Sequence, residues 1–380
     1  MSASTSVWIE RLKLDRFRNY EKLDLPLEQH HVVLTGENGS GKTNLLEAVS
    51  FLSPGRGLRR AAYDKVALAG GDGSWAMHAT LQGAVGEAQI GTGLRTTTAG
   101  VETQRRVRIN GAPAKASDDL LDHGRVLWLT PAMDGLFTGS PGDRRRFLDR
   151  LVLAIDPLHA RRVTAFEKAM RGRNKLLEDR GADPAWLSGI EEEMVQSAVA
   201  VATARSELVS LLRGMIETAP HGTFPQAEIA LEGVIEPMIG RGASADIEDE
   251  YRALLQRNRS ADAAAGRTLH GPHRSDLAVR HAEKDMEAAL CSTGEQKALL
   301  LGLILAHARL TASVSKMVPI LLLDEVAAHL DSARRASLFD LIDNLGCQAW
   351  MTGTDQHLFE SLGGRAQYLT VSAGTVAKAG

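Results

Sequence analysis

One short loop constrains this chain more than any other feature. Gly36-Glu37-Asn38-Gly39-Ser40-Gly41-Lys42-Thr43 matches G-x-x-x-x-G-K-[ST], a loop that works only between a buried strand and a helix. The flanking text supplies both. His31-Val32-Val33-Leu34-Thr35 is a short apolar run, and Leu45, Leu46, Val49 and Leu52 recur at helical spacing. Glycines let such a backbone wrap around phosphates, so that N–H groups and the helix start face negative charge. Lys42 is expected to reach the β- and γ-phosphates of ATP and the Thr43 hydroxyl to bind Mg²⁺.

The other half of such a site is a pair of acids at the tip of a second buried strand. Ile320-Leu321-Leu322-Leu323-Asp324-Glu325 has that form. Alone it would be a core strand closed by an acidic turn. Beside the phosphate loop, Asp324 is placed to hold Mg²⁺ and Glu325 to orient or deprotonate an attacking water, with Lys42 as its catalytic companion. Between the halves, Ser292-Thr293-Gly294-Glu295-Gln296-Lys297 opens an apolar helix. It reads as a capping box, and a Ser- and Gly-led helix start is also an anion site. Phosphate loop, long insertion, Ser-x-Gly helix start and acidic strand follow the order of an ABC-type ATPase. In that class Ser292, Gly294 and Gln296 would act in trans, on nucleotide held by a second copy of the chain.

The expected fold class is therefore α/β: an ABC-ATPase-like head of the P-loop NTPase type with a largely helical second lobe inserted. Residues 1–135 with 300–380 would form the ATPase lobe, and 136–299 the helical lobe ending in the signature. Alternating apolar residues at Leu23 to Leu27 and Trp75 to Leu81, and Val107-x-Ile109 before Asn110-Gly111, read as strands and a hairpin. Helical periodicity dominates from Asp143 to Arg259. Ala227, Ile229 and Leu231 make a strand-like interlude, and Asp246 reads as a helix N-cap.

Composition sets limits on the partners. With 380 residues, 44% hydrophobic and 24% charged, the chain suits a two-domain globular protein. Its 44 basic and 47 acidic residues leave a net charge of −3, so any nucleic-acid contact must be local rather than diffuse. Candidate faces are Arg56, Arg59 and Arg60, and Arg106 and Arg108, which alternation puts on one side of a strand. Arg105, Arg161 and Arg162, and Arg171, Arg173 and Lys175 read as solvated basic clusters. His270 and His273 flank Gly-Pro and lack a third ligand, which argues against zinc. Cys291 and Cys347 make neither a disulfide framework nor a metal cluster. Polar Met1–Glu10 lacks a signal-peptide pattern, and the apolar runs fall short of the ~20 residues that cross a bilayer, so a cytoplasmic protein is expected.

Across nearly its whole length the chain resembles the RecF family of recombinational DNA repair proteins. The resemblance is carried by Leu14–Tyr20, by Asn44-Leu45-Leu46-Glu47-Ala48 after the loop, by Pro131–Asp149 and by His270-Gly271-Pro272-His273-Arg274. The Ser-Thr-Gly-x-Gln signature and the Asp324 strand complete it. It departs from the family at Glu295 and Lys297, where Gln and Arg are usual, and at Ala132, whose polar role would pass to Asp134. No histidine follows the last core strand, so Thr352 and Thr354 would replace it, and Asp331 resembles the D-loop acid that couples paired sites. The run Arg144–Arg146 would stitch the two lobes together.

The resemblance implies a weak, DNA-stimulated ATPase acting as a conformational switch in DNA replication, damage repair and the SOS response. It implies an ATP-dependent homodimer on double-stranded and gapped DNA, with single strands at the junctions. RecR, with RecO, and indirectly the RecA recombinase would be partners, with no membrane. An SMC-like ATPase would need long heptad arms that this chain lacks. A transporter-type ABC ATPase is the other alternative with a different partner.

Overall fold

The structure is a computed structural model, described here for residues 4–379 except 84–85, 98–99, 180–182 and 220–221. The chain forms two compact units. One comprises Met1–Asp134, His221–Phe224 and Leu300–Gly380, and the other Gly135–Pro220 and Pro225–Leu299.

The first unit is built on a six-stranded sheet ordered Val126–Leu129, Ile320–Leu323, Ala349–Gly353, His31–Thr35, Ala366–Ser372, Thr375–Lys378. The first five are parallel, and the last is an antiparallel edge. Strands buried on both faces must be continuously apolar, which is why the four leading strands have no exposed position. A second, antiparallel sheet includes Trp8–Phe17, Tyr20–Pro26, Trp75–Gly83 and Gly86–Leu94. Arg106–Ile109 and Ala112–Pro113 close a hairpin through Asn110 and Gly111, both at positive φ, as a two-residue turn requires. One apolar core joins both sheets to the helix Lys42–Ser50, through Leu14, Phe17, Leu45, Val49, Trp75 and Leu322 among others. The loop and acid strands are separated by Ala349–Gly353 alone, so their tips open at one edge of the sheet.

The second unit is mostly helical: Pro141–Ile155, His159–Glu178, Pro184–Glu217, Ser244–Arg257 and Arg259–Ala265, with a small antiparallel sheet of Ala227–Glu232, Asp276–His281 and Met286–Glu287. Asp246 is the third residue of its helix rather than its cap. Its carboxylate accepts the Ala243 N–H at 3.2 Å, from the third-position half of a capping arrangement. The apolar stretch after Lys297 belongs to a 23-residue helix, Thr293–Ser315. That helix is long and apolar enough to cross a bilayer, but 72% of its most apolar window is buried inside the protein, as in a core helix.

The sequence misleads most at Arg173, which composition assigns to a solvated cluster. The side chain is fully buried. Its guanidinium donates to Glu191 at 2.9 Å, to Asp262 at 2.6 Å, to the Thr268 hydroxyl at 3.0 Å and to the Leu255 carbonyl at 3.0 Å. Arg144 also departs from expectation. It pairs with Asp276 and caps the carbonyls of Phe137 and Gly139, all inside the second unit, and so stitches that unit to itself. Removing one member of a buried charge network strands the others without counter-charge. Arg173→Ala is expected to destabilise the second unit by about 3–5 kcal/mol in urea unfolding, and Arg173→Lys to recover only part of that loss.

Candidate nucleotide-binding site

The strand His31–Thr35 delivers the chain into a loop that only glycine can build at two points. At Gly36, with φ +147°, a Cβ would lie 2.2 Å from the Val371 carbonyl oxygen. At Gly41, with φ +116°, it would meet the Asn19 side chain at 2.5 Å and the Tyr20 hydroxyl at 2.9 Å. Glu37, Asn38 and Gly39 form the exposed tip. Lys42 opens the helix and turns back into the loop, donating to the carbonyls of Gly36 at 2.6 Å and Glu37 at 2.8 Å. Burial pushes its ammonium below the usual lysine range, while Glu325 and Asp324 oppose that shift. The Ser40 hydroxyl is buried and, among the described residues, has no hydrogen-bond partner, a donor left over inside a loop of phosphate-binding shape.

The acid strand meets this loop directly. Thr43 Oγ1 donates to Asp324, 3.0 Å from Oδ1 and 3.1 Å from Oδ2. From the strand between them, Thr352 Oγ1 donates to Asp324 Oδ1 at 2.7 Å and accepts the Glu325 N–H at 2.8 Å. Burial raises the Asp324 pKa, the hydrogen bonds from Thr352 and Thr43 restrain that rise, and the Glu325 charge adds to it. Glu325 itself has φ 56°, uncommon for a residue with a side chain, and is partly exposed. The paired hydroxyl and carboxylate fit Mg²⁺, an ion usually held by few protein groups together with phosphate and water. No denser cluster of His, Cys, Asp and Glu that could hold a metal occurs among the described residues.

Sequence reasoning missed what holds the loop in place. Asn19 donates to the Ser40 carbonyl at 3.1 Å and Tyr20 to the Gly41 carbonyl at 3.0 Å. Asn44 donates to Asn19 at 2.6 Å. Beneath them Glu47 is wholly buried and held by Arg18 through bonds of 2.8 and 2.6 Å and by Arg59 at 2.9 Å. Glu47 offers the one local signal, an acid set among apolar helix positions.

These contacts also reduce the candidate DNA face. Arg59 is committed to Glu47 and Asn44, and Arg106 to Glu102. Arg105 turns inward, donating to the carbonyls of Phe51 and Ser53 over the Phe51 ring. Arg56, Arg60 and Arg108 are exposed.

In the second unit, Ser292 and Glu295 form the expected reciprocal cap. The Ser292 N–H and hydroxyl donate to the Glu295 carboxylate at 3.0 and 2.8 Å, and the Glu295 N–H donates to Ser292 Oγ at 3.4 Å. Lys284 and Ser292 hold Glu295 well below the usual carboxylate range, down to about 2, so the acid that departs from the family pattern arrives already paired with a cation. Ser292 and Gly294 are exposed, and a Cβ on Gly294 would meet nothing within 4 Å. Gln296 points the other way, donating to the carbonyls of Ala289 and Cys291, so its role is to brace the turn before the helix. His273 Nε2 meets the Thr268 carbonyl at 3.0 Å and the His270 carbonyl accepts from Tyr251. In the first unit, Asp331 caps the helix Ser332–Leu345 by accepting the Arg334 N–H at 2.8 Å, and Thr354 is exposed.

A parallel core with a glycine loop and an acid strand at one edge, joined to an antiparallel sheet, defines a P-loop ATPase head of the kind shared by RecF and SMC proteins. The family model described as the RecF/RecN/SMC N terminal domain matches residues 8–375. The chain is 60% identical over 370 residues to the DNA replication and repair protein RecF of Brucella suis biovar 1 (strain 1330), covering 97% of this chain and 95% of that one. It is 59% identical over 372 residues to the protein of the same name from Rhizobium etli (strain CIAT 652), covering 97% and 98%. This chain belongs to the RecF family. Its fold is similar to that of the recombination mediator protein RecF solved with ATP, with a TM-score of 0.85 at 21% identity over 100% of this chain and 99% of that one. It is also similar to the Smc head domain of Pyrococcus furiosus, with a TM-score of 0.54 at 17% identity over 98% and 96%.

Thr352→Val removes the donor to Asp324 and the acceptor of the Glu325 N–H at almost constant volume. A cost of about 1–3 kcal/mol is expected at neutral pH. Because burial raises the Asp324 pKa in the folded state, its charged form is the costly one. The penalty should therefore shrink as pH falls through that raised pKa and the carboxyl protonates. Urea unfolding at neutral and mildly acidic pH checks the difference, and Thr352→Ser should behave as the unsubstituted chain.

Proposed function

We propose that this chain is an ATP-driven switch that closes as a dimer on gapped DNA in recombinational repair and replication restart. The observation that carries the reading is the junction of Thr43 with Asp324, beside a lysine held inside a glycine loop and an unpartnered buried serine. The backbone of Gly36–Thr43 would bind the triphosphate of ATP and Lys42 its outer phosphates. Thr43 and Asp324 would hold Mg²⁺, which when bound would offset the negative charge of the phosphates. Glu325, its N–H fixed by Thr352, would orient or deprotonate the attacking water. Asn19 and Tyr20 keep the loop from collapsing when phosphate leaves.

Closure is the task of the signature. The exposed Ser292 and Gly294, at a helix start whose own acid is neutralised by Lys284, suit the γ-phosphate of nucleotide bound to a partner subunit. Asp331 would couple the two sites of the dimer. The names of the relatives support a place in DNA replication and repair. We assign the closed state to duplex beside a single-strand gap, to RecR with RecO as partner, and to loading of RecA, with slow hydrolysis, stimulated by DNA, reopening the dimer in the cytoplasm.

A site shared between two copies can be rebuilt from two broken ones. Lys42→Ala spoils the loop and Ser292→Arg blocks the signature, and each alone should lower ATP turnover roughly 100-fold. An equimolar mixture restores one intact composite site in each mixed dimer, so turnover should recover to about a quarter of the unsubstituted rate. A mixture no faster than its components would exclude sharing of the site.

A further inference from the structure

The loop from Thr268 to Asp276 is held more firmly than a surface loop needs to be. Side chains from several elements grip its backbone. Arg205 donates to the Pro272 carbonyl at 2.6 Å, Tyr251 to the His270 carbonyl at 3.0 Å and Arg145 to the Ser275 carbonyl at 2.7 Å. The Ser275 hydroxyl meets the buried Glu236, and Asn174 accepts from the Thr268 N–H and hydroxyl. Gly271, with φ +144°, packs so tightly on the Tyr251 hydroxyl that a Cβ would lie 2.5 Å from it. A loop tied down at successive residues presents its free side chains in a fixed position.

The free side chain is a cation. In this unit Arg144, Arg173, Arg205, Arg252, Arg259 and Arg280 each have a carboxylate partner. Arg274 is exposed and, among the described residues, neither it nor Arg145 makes an ion pair with a carboxylate. The acids whose charges act on Arg145 are already bound: Asp276 takes two bonds from Arg144, and Asp149 takes two from Arg205. After burial and the opposing Thr268 carbonyl, the charges of Arg274 and Arg145 help hold His273 below the usual histidine range, so both lie close to that ring.

We propose that Arg274, on this preformed loop and beside Arg145, is a phosphate-contact residue for the backbone of duplex DNA. A bare guanidinium carried on a loop whose backbone is tied down suits phosphodiester oxygens, and such contacts set position rather than sequence preference. The assignment rests on the DNA-binding function proposed above and adds a residue outside the basic faces of the first unit.

The test uses the full chain with Arg274→Ala and Arg274→Lys, a fluorescein-labelled duplex followed by anisotropy in the presence of ATP, and fluorescent mant-ATP without DNA. Each lost phosphate contact should lower the slope of log affinity against log salt by about 0.9 and weaken binding about eightfold at ~0.1 M salt, for one or both copies in the dimer, in the same proportion for duplexes of different sequence. Arg274→Lys should keep the slope, and mant-ATP affinity and thermal unfolding should not change in either variant. Unchanged DNA affinity and slope in Arg274→Ala, with the unsubstituted chain binding duplex, would overturn the proposal and leave the DNA-binding reading standing. Weaker mant-ATP binding with DNA unaffected would overturn it by assigning the arginine to nucleotide phosphate. An unsubstituted chain that fails to bind duplex would remove the DNA reading and this proposal together.

Discussion

The Thr43 hydroxyl, the Asp324 carboxylate and the Thr352 hydroxyl form one short hydrogen-bonded chain between the start of the loop helix and two neighbouring strand ends. It joins residues 281 positions apart in sequence, and everything that makes this site a site depends on it. The parallel order of the strands sets the distance, and the glycine loop sets the direction from which Thr43 arrives. Thr352 has a second bond, to the Glu325 N–H, so a single hydroxyl fixes both Asp324 and the backbone of Glu325. A buried carboxylate held by neutral hydroxyls keeps a raised pKa, as suits a group whose counter-charge arrives with the ligand.

Around that chain, buried charge is used for geometry. Glu47 on the loop helix, and Arg173 and Arg205 in the second unit, are all removed from solvent and multiply bonded. Buried ion pairs add little net stability compared with apolar packing, but breaking one is costly. Arg18 and Arg59 on Glu47 tie the end of the strand Trp8–Phe17 and the segment after the loop helix to that helix. Asn19 and Tyr20 complete the attachment from the loop side.

The phosphate loop, the acid strand and the capping box were legible in the sequence because each is local: the residue types, their spacing and the flanking apolar runs lie within a dozen positions. The supports were not, because they act across the fold. Nothing near Asn19 or Tyr20 announces that their side chains will meet the carbonyls of Ser40 and Gly41. Arg173 and Arg105 read as solvent-facing because arginine usually is, and only the tertiary structure shows the carboxylates and carbonyls that let them stay inside. Gln296 belongs to a motif expected to act outward, yet the two carbonyls it meets draw it inward.

A net charge of −3 fits the proposed state-dependent hold on DNA, in which scattered arginines would act as a surface only when copies are brought together. The central claim is that nucleotide at the Thr43–Asp324 junction drives two copies to close. Light scattering on the unsubstituted chain reads this directly, with ATP and Mg²⁺, with ADP and Mg²⁺, and with ATP alone. The account predicts twice the monomer mass with ATP and Mg²⁺ and the monomer mass in the other two conditions. One mass in all three conditions, whether monomer or dimer, would contradict it.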